Sequence, residues 1–412
     1  MCYKYTFEQD QLNRKPIAEC IEKYLHLIQE NNPQQAVSFA INARWGEGKT
    51  YFIGMWKHLI EENTRDVAIY YNAWENDDCD SAILPLLYNI ISVVKDAESE
   101  TFIKHAKFFL KTLGMHTLKL GVGKFLCGYE EIADILTRSI DDVNSADIRT
   151  FFLEYDEYYG RRKKLQEGLQ ELIPEDGNLW VFIDDLDRCN PMFAINTLEC
   201  IKHFFNIAHI RFIFAIDYNH LSMAAEQVYG KDVDSTSYMK KFFDVIYQLP
   251  SPDRCKYVEY KIKSIQNRNV REIIRKANFK FYFKKFDFSL RDIDLTMTHM
   301  ELLIKEHFDE FAEYEDRDVA LNVYLYFMCI KDKFNREYMD IIHGRFLMDS
   351  SCNGTWKVLD KKFLIKTEIN KLLEAISNGV AERCTTDIIQ RYSLLNLPAI
   401  DKFSDHMEYM LR

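Results

Sequence analysis

Residues 39–52 read FAINARWGEGKTYF, an apolar run followed by Gly46-Glu47-Gly48-Lys49-Thr50 and then aromatic residues. No other stretch narrows the fold so far. A buried strand that breaks into such a loop and restarts as a helix turns backbone N–H groups toward one point, and the helix dipole adds to the field there. That geometry suits an anion. Gly46 and Gly48 let the backbone approach phosphates. Lys49 reaches the β- and γ-phosphates as a point charge, and Thr50 offers its hydroxyl to Mg2+. Arg44, Trp45, Gly46, Glu47, Gly48, Lys49 and Thr50 are therefore the candidate nucleotide-contacting residues of the loop. Ala43 stands where the G-x-x-x-x-G-K-[ST] pattern has its first glycine, and alanine is tolerated there unless φ must be positive.

A second stretch, LWVFIDDLDRCNP at residues 179–191, supplies the partner such a loop needs. A buried apolar strand delivers Asp184 and Asp185 at its C-terminal end, and in open α/β sheets that edge is where ligands bind. Asp184 would hold Mg2+, directly or through water, and Asp185 would orient or deprotonate an attacking water. Alone, the stretch also reads as a plain strand ending in a solvated acidic turn; the phosphate loop argues for the first reading. Arg188 either pairs with Asp187 or faces a γ-phosphate or a neighbouring subunit.

Around these motifs, apolar runs at 36–42, 66–72, 179–184, 210–216 and 243–249 read as strands. Helical periodicity separates them at 11–30, through about residue 62, at 81–98, at 149–173 and after Pro191. Strands alternating with helices predict a parallel sheet covered on both faces. After Pro252 the pattern is mostly helical. Residues 73–178 are far too many for one crossover, so an insertion is expected at about 95–148. The expected organisation is a core over 1–250 carrying that insertion, then a helical region over 251–412.

Composition narrows the remaining options. A chain of 412 residues is long enough for two or three domains. The net charge of -11 argues against general nucleic-acid binding, though not against a local basic patch. Ten cysteines include no C-x-x-C pair, so free thiols in a reducing compartment are expected rather than a zinc ribbon or redox motif. There is no signal-peptide pattern, and no uncharged apolar run reaches roughly 18 residues. A cytoplasmic protein is expected. His203 and His209, six apart, do not share a helix face, and Cys189 has no base near it in sequence; none of them reads as catalytic.

Together the motifs resemble the KAP family of P-loop NTPases. The likeness rests on Trp45-Gly46-Glu47-Gly48-Lys49-Thr50, on Asn72-Ala73-Trp74, and on IDDLDRC from Ile183 to Cys189. Asp10 and Arg14 upstream, FIFAID ending at Asp217, and YMKKFFDVIYQLP at 238–250 extend it to roughly residues 8–300. The resemblance implies an ATPase of the additional-strand class, using ATP and Mg2+, with the strand ending at Asp217 lying between the loop strand and the acidic strand. It implies a polar sensor at Asp217 and a helical lid at 288–297 carrying a sensor arginine, Arg291; a surface ion pair of Arg291 with Asp292 or Asp294 is the plainer alternative. It further implies a switch acting on a protein partner or through self-association, in a family linked to phage exclusion and membrane-linked signalling.

Many members carry transmembrane helices between the two nucleotide motifs, and this chain departs from that. Its segment 101–129 holds no acidic residue and five lysines: Lys104, Lys107, Lys111, Lys119 and Lys124. A lysine at mid-bilayer costs about 3 kcal/mol, so this segment does not span a membrane. Its first half reads as an amphipathic helix that packs on the protein's own acidic surface or meets an anionic partner, nucleic acid or a membrane surface.

Overall fold

The computed structural model describes residues 5–63, 66–79, 82–93, 159–160, 162–171, 173–174, 177–277 and 279–306, with a few positions between 325 and 333. The expected insertion at about 95–148, its basic segment 101–129, and 334–412 lie outside the described residues. Two compact units divide the chain, Met1–Ser251 and Pro252–Arg412.

The first unit is built on five strands: β1 (Val37–Asn42), β2 (Val67–Asn72), β3 (Leu179–Asp184), β4 (Ile210–Ile216) and β5 (Val245–Gln248). All neighbours pair in parallel, in the order β2-β3-β4-β1-β5. The strands are rich in β-branched and aromatic residues, and β1, β3 and β4 are buried along nearly their whole length, so they read as apolar runs rather than alternating ones. Side chains still divide with period two. Phe39, Ile41, Trp180, Phe182 and Ile213 pack on one face with α1 (Lys15–Asn31) and α2 (Lys49–Asn63). Ile183, Phe212, Phe214 and Ile216 pack on the other with Leu86, Leu87 and Leu198 from the helices Ile83–Val93 and Pro191–Phe204. Trp56 of α2 anchors the first layer. It meets Trp180 and Phe182 edge-on, each at 5.6 Å between ring centres, and donates its indole N–H to Glu22 of α1 at 2.7 Å.

Register brings the functional ends together. Asp184 pairs across with Ala215 on one side and Asn72 on the other, and Asn42 lies opposite Ile216 and Gln248. The ladder runs on past the strand ends, with the Ala43 amide donating to Ile216 O at 3.1 Å and the Ala73 amide to Asp184 O at 3.0 Å. The loop after β1, the acids after β3 and Asp217 after β4 thus emerge at one edge.

The second unit, as described, contains the helices Arg254–Ser264, Arg268–Ile274, Phe279–Lys285 and Leu290–Glu306. Phe279, Phe283 and Phe288 form its aromatic centre, with Phe283 and Phe288 stacked at 5.0 Å. Among the described residues, no helix is long and apolar enough to cross a membrane.

Candidate nucleotide site

The loop leaves β1 through Ala43, which is buried and does not have positive φ; a glycine is therefore not required there. Gly46 (φ 78°) and Gly48 (φ 81°) do adopt the left-handed conformation. They reverse the chain so that α2 starts at Lys49. The Lys49 ammonium is 8% exposed and donates to the Ala43 carbonyl at 2.6 Å and, at longer range, to that of Arg44 at 3.4 Å. Burial lowers its pKa, while Asp187, Asp217 and Asp184 work in the opposite direction. Beneath the loop, the buried Arg14 guanidinium donates to the Gly48 carbonyl at 2.9 Å and the Glu47 carbonyl at 2.7 Å.

Asp184, 1% exposed, ends the acidic strand. The Tyr70 hydroxyl of β2 donates to it at 2.9 Å, as does the Asp185 amide at 2.9 Å, and Thr50 beside it also favours the ionised form. Burial raises the Asp184 pKa, and these hydrogen bonds only partly offset it. Asp185 follows in a left-handed conformation (φ 54°), which a short polar residue tolerates better than most. Its carboxylate pairs with Arg188 Nε at 3.0 Å. The Arg188 guanidinium in turn lies 5.8 Å from the ring of Trp74, which stands exposed on a short 3-10 turn. Asn72 sets that turn by accepting the Trp74 amide at 3.0 Å, which gives the Asn72-Ala73-Trp74 motif its physical meaning.

Asp187 links the remaining parts. Its Oδ2 accepts the Trp45 indole N–H at 2.5 Å and the Asp217 amide at 2.8 Å. Trp45 stacks on His220 at 4.0 Å, and His220 Nδ1 lies 3.2 Å from the Asp217 carboxylate. Asp217 also caps the helix Tyr218–Tyr229, accepting the Asn219 amide at 3.2 Å.

Lys49, Thr50, Asp184 and Asp217 are thus gathered at one edge with Trp45, Gly46 and Gly48. Glu47 is buried with its carboxylate 3.7 Å from Arg44, whose side chain is mostly exposed. Arg188 pairs with Asp185 rather than Asp187: the 3-10 turn between them puts residues three apart on one side. Arg291 belongs to the second unit, exposed in the first turn of Leu290–Glu306. The acids beside it are engaged by lysines, Asp292 by Lys333 at 2.7 Å and Asp294 by Lys261 at 3.0 Å. Cys189 is buried and burial pushes its thiol up, away from reactivity. His203 and His209 are exposed, and among the described residues no cluster of three or more candidate metal ligands occurs. Tyr70 had no sequence signal and is found only through the β2–β3 register. Arg14 entered with the family likeness, but its role did not, because it lies 33 and 34 residues from the carbonyls it holds.

Strand order decides the class. With β4 between the strand that feeds the glycine loop and the strand that ends in Asp184, this is a P-loop NTPase fold of the additional-strand type. More particularly, the chain belongs to the family described by the KAP family P-loop domain, which matches residues 17–293. Nucleotide binding is the general property of that class. No curated protein matches the chain. Among solved structures, the Aeropyrum pernix ORC2 protein in its ADPNP-ADP complexes is similar at 11% identity, covering 97% of this chain and 93% of its own, with a TM-score of 0.36. That likeness is too loose to carry an argument.

Proposed function

We propose that the first unit binds ATP with Mg2+ and hydrolyses it, and that the cycle serves as a conformational switch on a partner. The strongest support is the gathering of Lys49, Thr50 and the buried Asp184 carboxylate at one sheet edge, with Thr50 near enough to Asp184 to favour its ionised form. A hydroxyl and a carboxylate are both hard oxygen donors, so Thr50 and Asp184 would suit a Mg2+ ion. When bound, Mg2+ would neutralise charge on the β- and γ-phosphates. The chain's own residues do the rest. The Gly46–Thr50 amides cradle the phosphates, with Arg44, Trp45 and Glu47 completing the loop. Lys49 exchanges the Ala43 and Arg44 carbonyls for β- and γ-phosphate oxygens. Asp185 takes a proton from the attacking water, which requires it to leave Arg188. Arg188, once released, has a charge to place on the γ-phosphate or on a neighbouring subunit. Asp217 responds to the γ-phosphate through a water, and the family resemblance gives Arg291 a sensor role.

A second reading is an ATP-bound scaffold without turnover. The Asp185–Arg188 pair favours it, because it occupies the carboxylate that hydrolysis needs. Measuring ATP binding and phosphate release on the same preparation separates the two. Binding with turnover supports the switch; binding without turnover supports the scaffold; absence of binding removes both. Action on a partner complex and a place in antiphage defence extend the family resemblance, and a cytoplasmic setting extends the reading of the cysteines as free thiols. The basic segment 101–129 is the proposed contact to an anionic surface. Charge reversal at Lys104, Lys107 and Lys111 should abolish sedimentation with anionic liposomes or DNA. If sedimentation survives the change, or never occurs, that contact is refuted.

A further inference from the structure

We infer that Arg14 is a positioning residue for the phosphate loop: it holds two consecutive loop carbonyls on one side so that the amides of Gly48 and Lys49 face a bound polyphosphate. The inference rests on reading the loop as a nucleotide cradle. Arg14 is 2% exposed, and its two terminal nitrogens reach Gly48 O at 2.9 Å and Glu47 O at 2.7 Å. In a trans peptide the C=O and the following N–H point in opposite directions, and there is no cis bond among the described residues. A Glu47 carbonyl turned to Arg14 therefore turns the Gly48 N–H away from it, and the same holds for Gly48 and the Lys49 N–H. Both carbonyls can converge on one cation because Gly48, between them, sits at φ 81°. The amides then open on the opposite side as an anion-binding concavity.

Charge acts through the same bonds. A cation on a carbonyl polarises the peptide and makes its N–H a stronger donor. Lysine would present one mobile point charge, whereas the planar guanidinium presents a fixed fork that holds both carbonyls. Arg14 is itself set in place where the chain turns into α1, its amide and that of Leu12 both donating to the Asp10 carboxylate. Burial brings its pKa down to about 10 despite Asp10 and Glu47, so it stays charged at neutral pH.

Titration calorimetry of the full chain with Mg-ATP, and separately with Mg-tripolyphosphate, tests the assignment. Arg14→Lys should weaken both ligands by the same factor, roughly tenfold for the loss of one charge-assisted hydrogen bond, with stoichiometry unchanged, and Arg14→Gln should weaken them further. A residue that only ties α1 to the loop would lower the stoichiometry and leave Kd alone; that result overturns the assignment. Failure of the unaltered protein to bind either ligand would sink the nucleotide reading itself, whereas normal binding with indifferent variants sinks only the role of Arg14. A second measurement needs no substitution. Nitrogen-15 resonances of the Arg14 guanidinium should shift when tripolyphosphate is added, and their invariance would also overturn the assignment.

Discussion

Lys49 and Asp184 are both kept from water by the protein, and each is biased toward its neutral form by that burial. Lys49→Ala should abolish ATP binding measured by calorimetry; tight binding by that variant would refute the cradle. Asp185→Asn should keep binding but lower phosphate release by roughly 10²–10⁴-fold, the usual worth of a general base. Asp184 makes a pH prediction. Its folded pKa is raised above the unfolded value, so the folded state holds the proton more tightly. Its contribution to stability is greatest at low pH and declines as pH rises from the ordinary carboxylate range through the raised value. Mg2+ binding has the opposite sign, because the ion needs the ionised carboxylate, so Mg-ATP affinity should fall as the solution is acidified through that range. Asp184→Asn should raise the melting temperature of the ligand-free protein by a few degrees while removing the Mg2+ dependence of ATP binding. Lys49, Thr50 and Asp184 were legible in the sequence because each sits at fixed spacing within a short motif. Tyr70 was not, because only the register brings it in. Arg14 was marked by the upstream likeness with Asp10, but its hold on the loop is a long-range contact that leaves no local pattern.

At the scale of elements, apolar strands ending in a polar residue made the sheet readable: VSFAIN, VAIYYN and LWVFID each run into the edge where chemistry gathers. The order of those strands was not readable from periodicity and came only with the family resemblance. Packing gives a direct check on the layer under the loop. Trp56 is fully buried between two aromatic side chains of β3, so Trp56→Ala should cost about 3–5 kcal/mol, seen as a lower urea midpoint. The helix Pro191–Phe204 starts on Asn190, whose side chain accepts the Met192 amide at 3.0 Å. Asn190→Ala should lose about 1 kcal/mol, and because that helix follows the acidic turn, a larger effect on turnover than on stability would tie the cap to the orientation of Asp185.

The whole molecule has two compact units with separate apolar centres, so its thermal unfolding need not be a single transition. Mg-ATP should raise the transition of the unit that contains Lys49, by about 2.7 kcal/mol at a hundredfold excess over Kd. Calorimetric scans with and without nucleotide would show which transition moves, and an unmoved pair would count against binding in the first unit.

Inserting β4 between β1 and β3 also sets a gap. Neighbouring strands lie about 4.8 Å apart, so the axis that carries the loop and the axis that carries the acids are separated by about 10 Å. The proposed function puts the attacking water in that interval, between the loop and the acids. In the proposed mechanism Asp185 activates water rather than attacking phosphorus, so an aspartyl-phosphate should never accumulate, and oxygen-18 from the solvent should appear in the released phosphate.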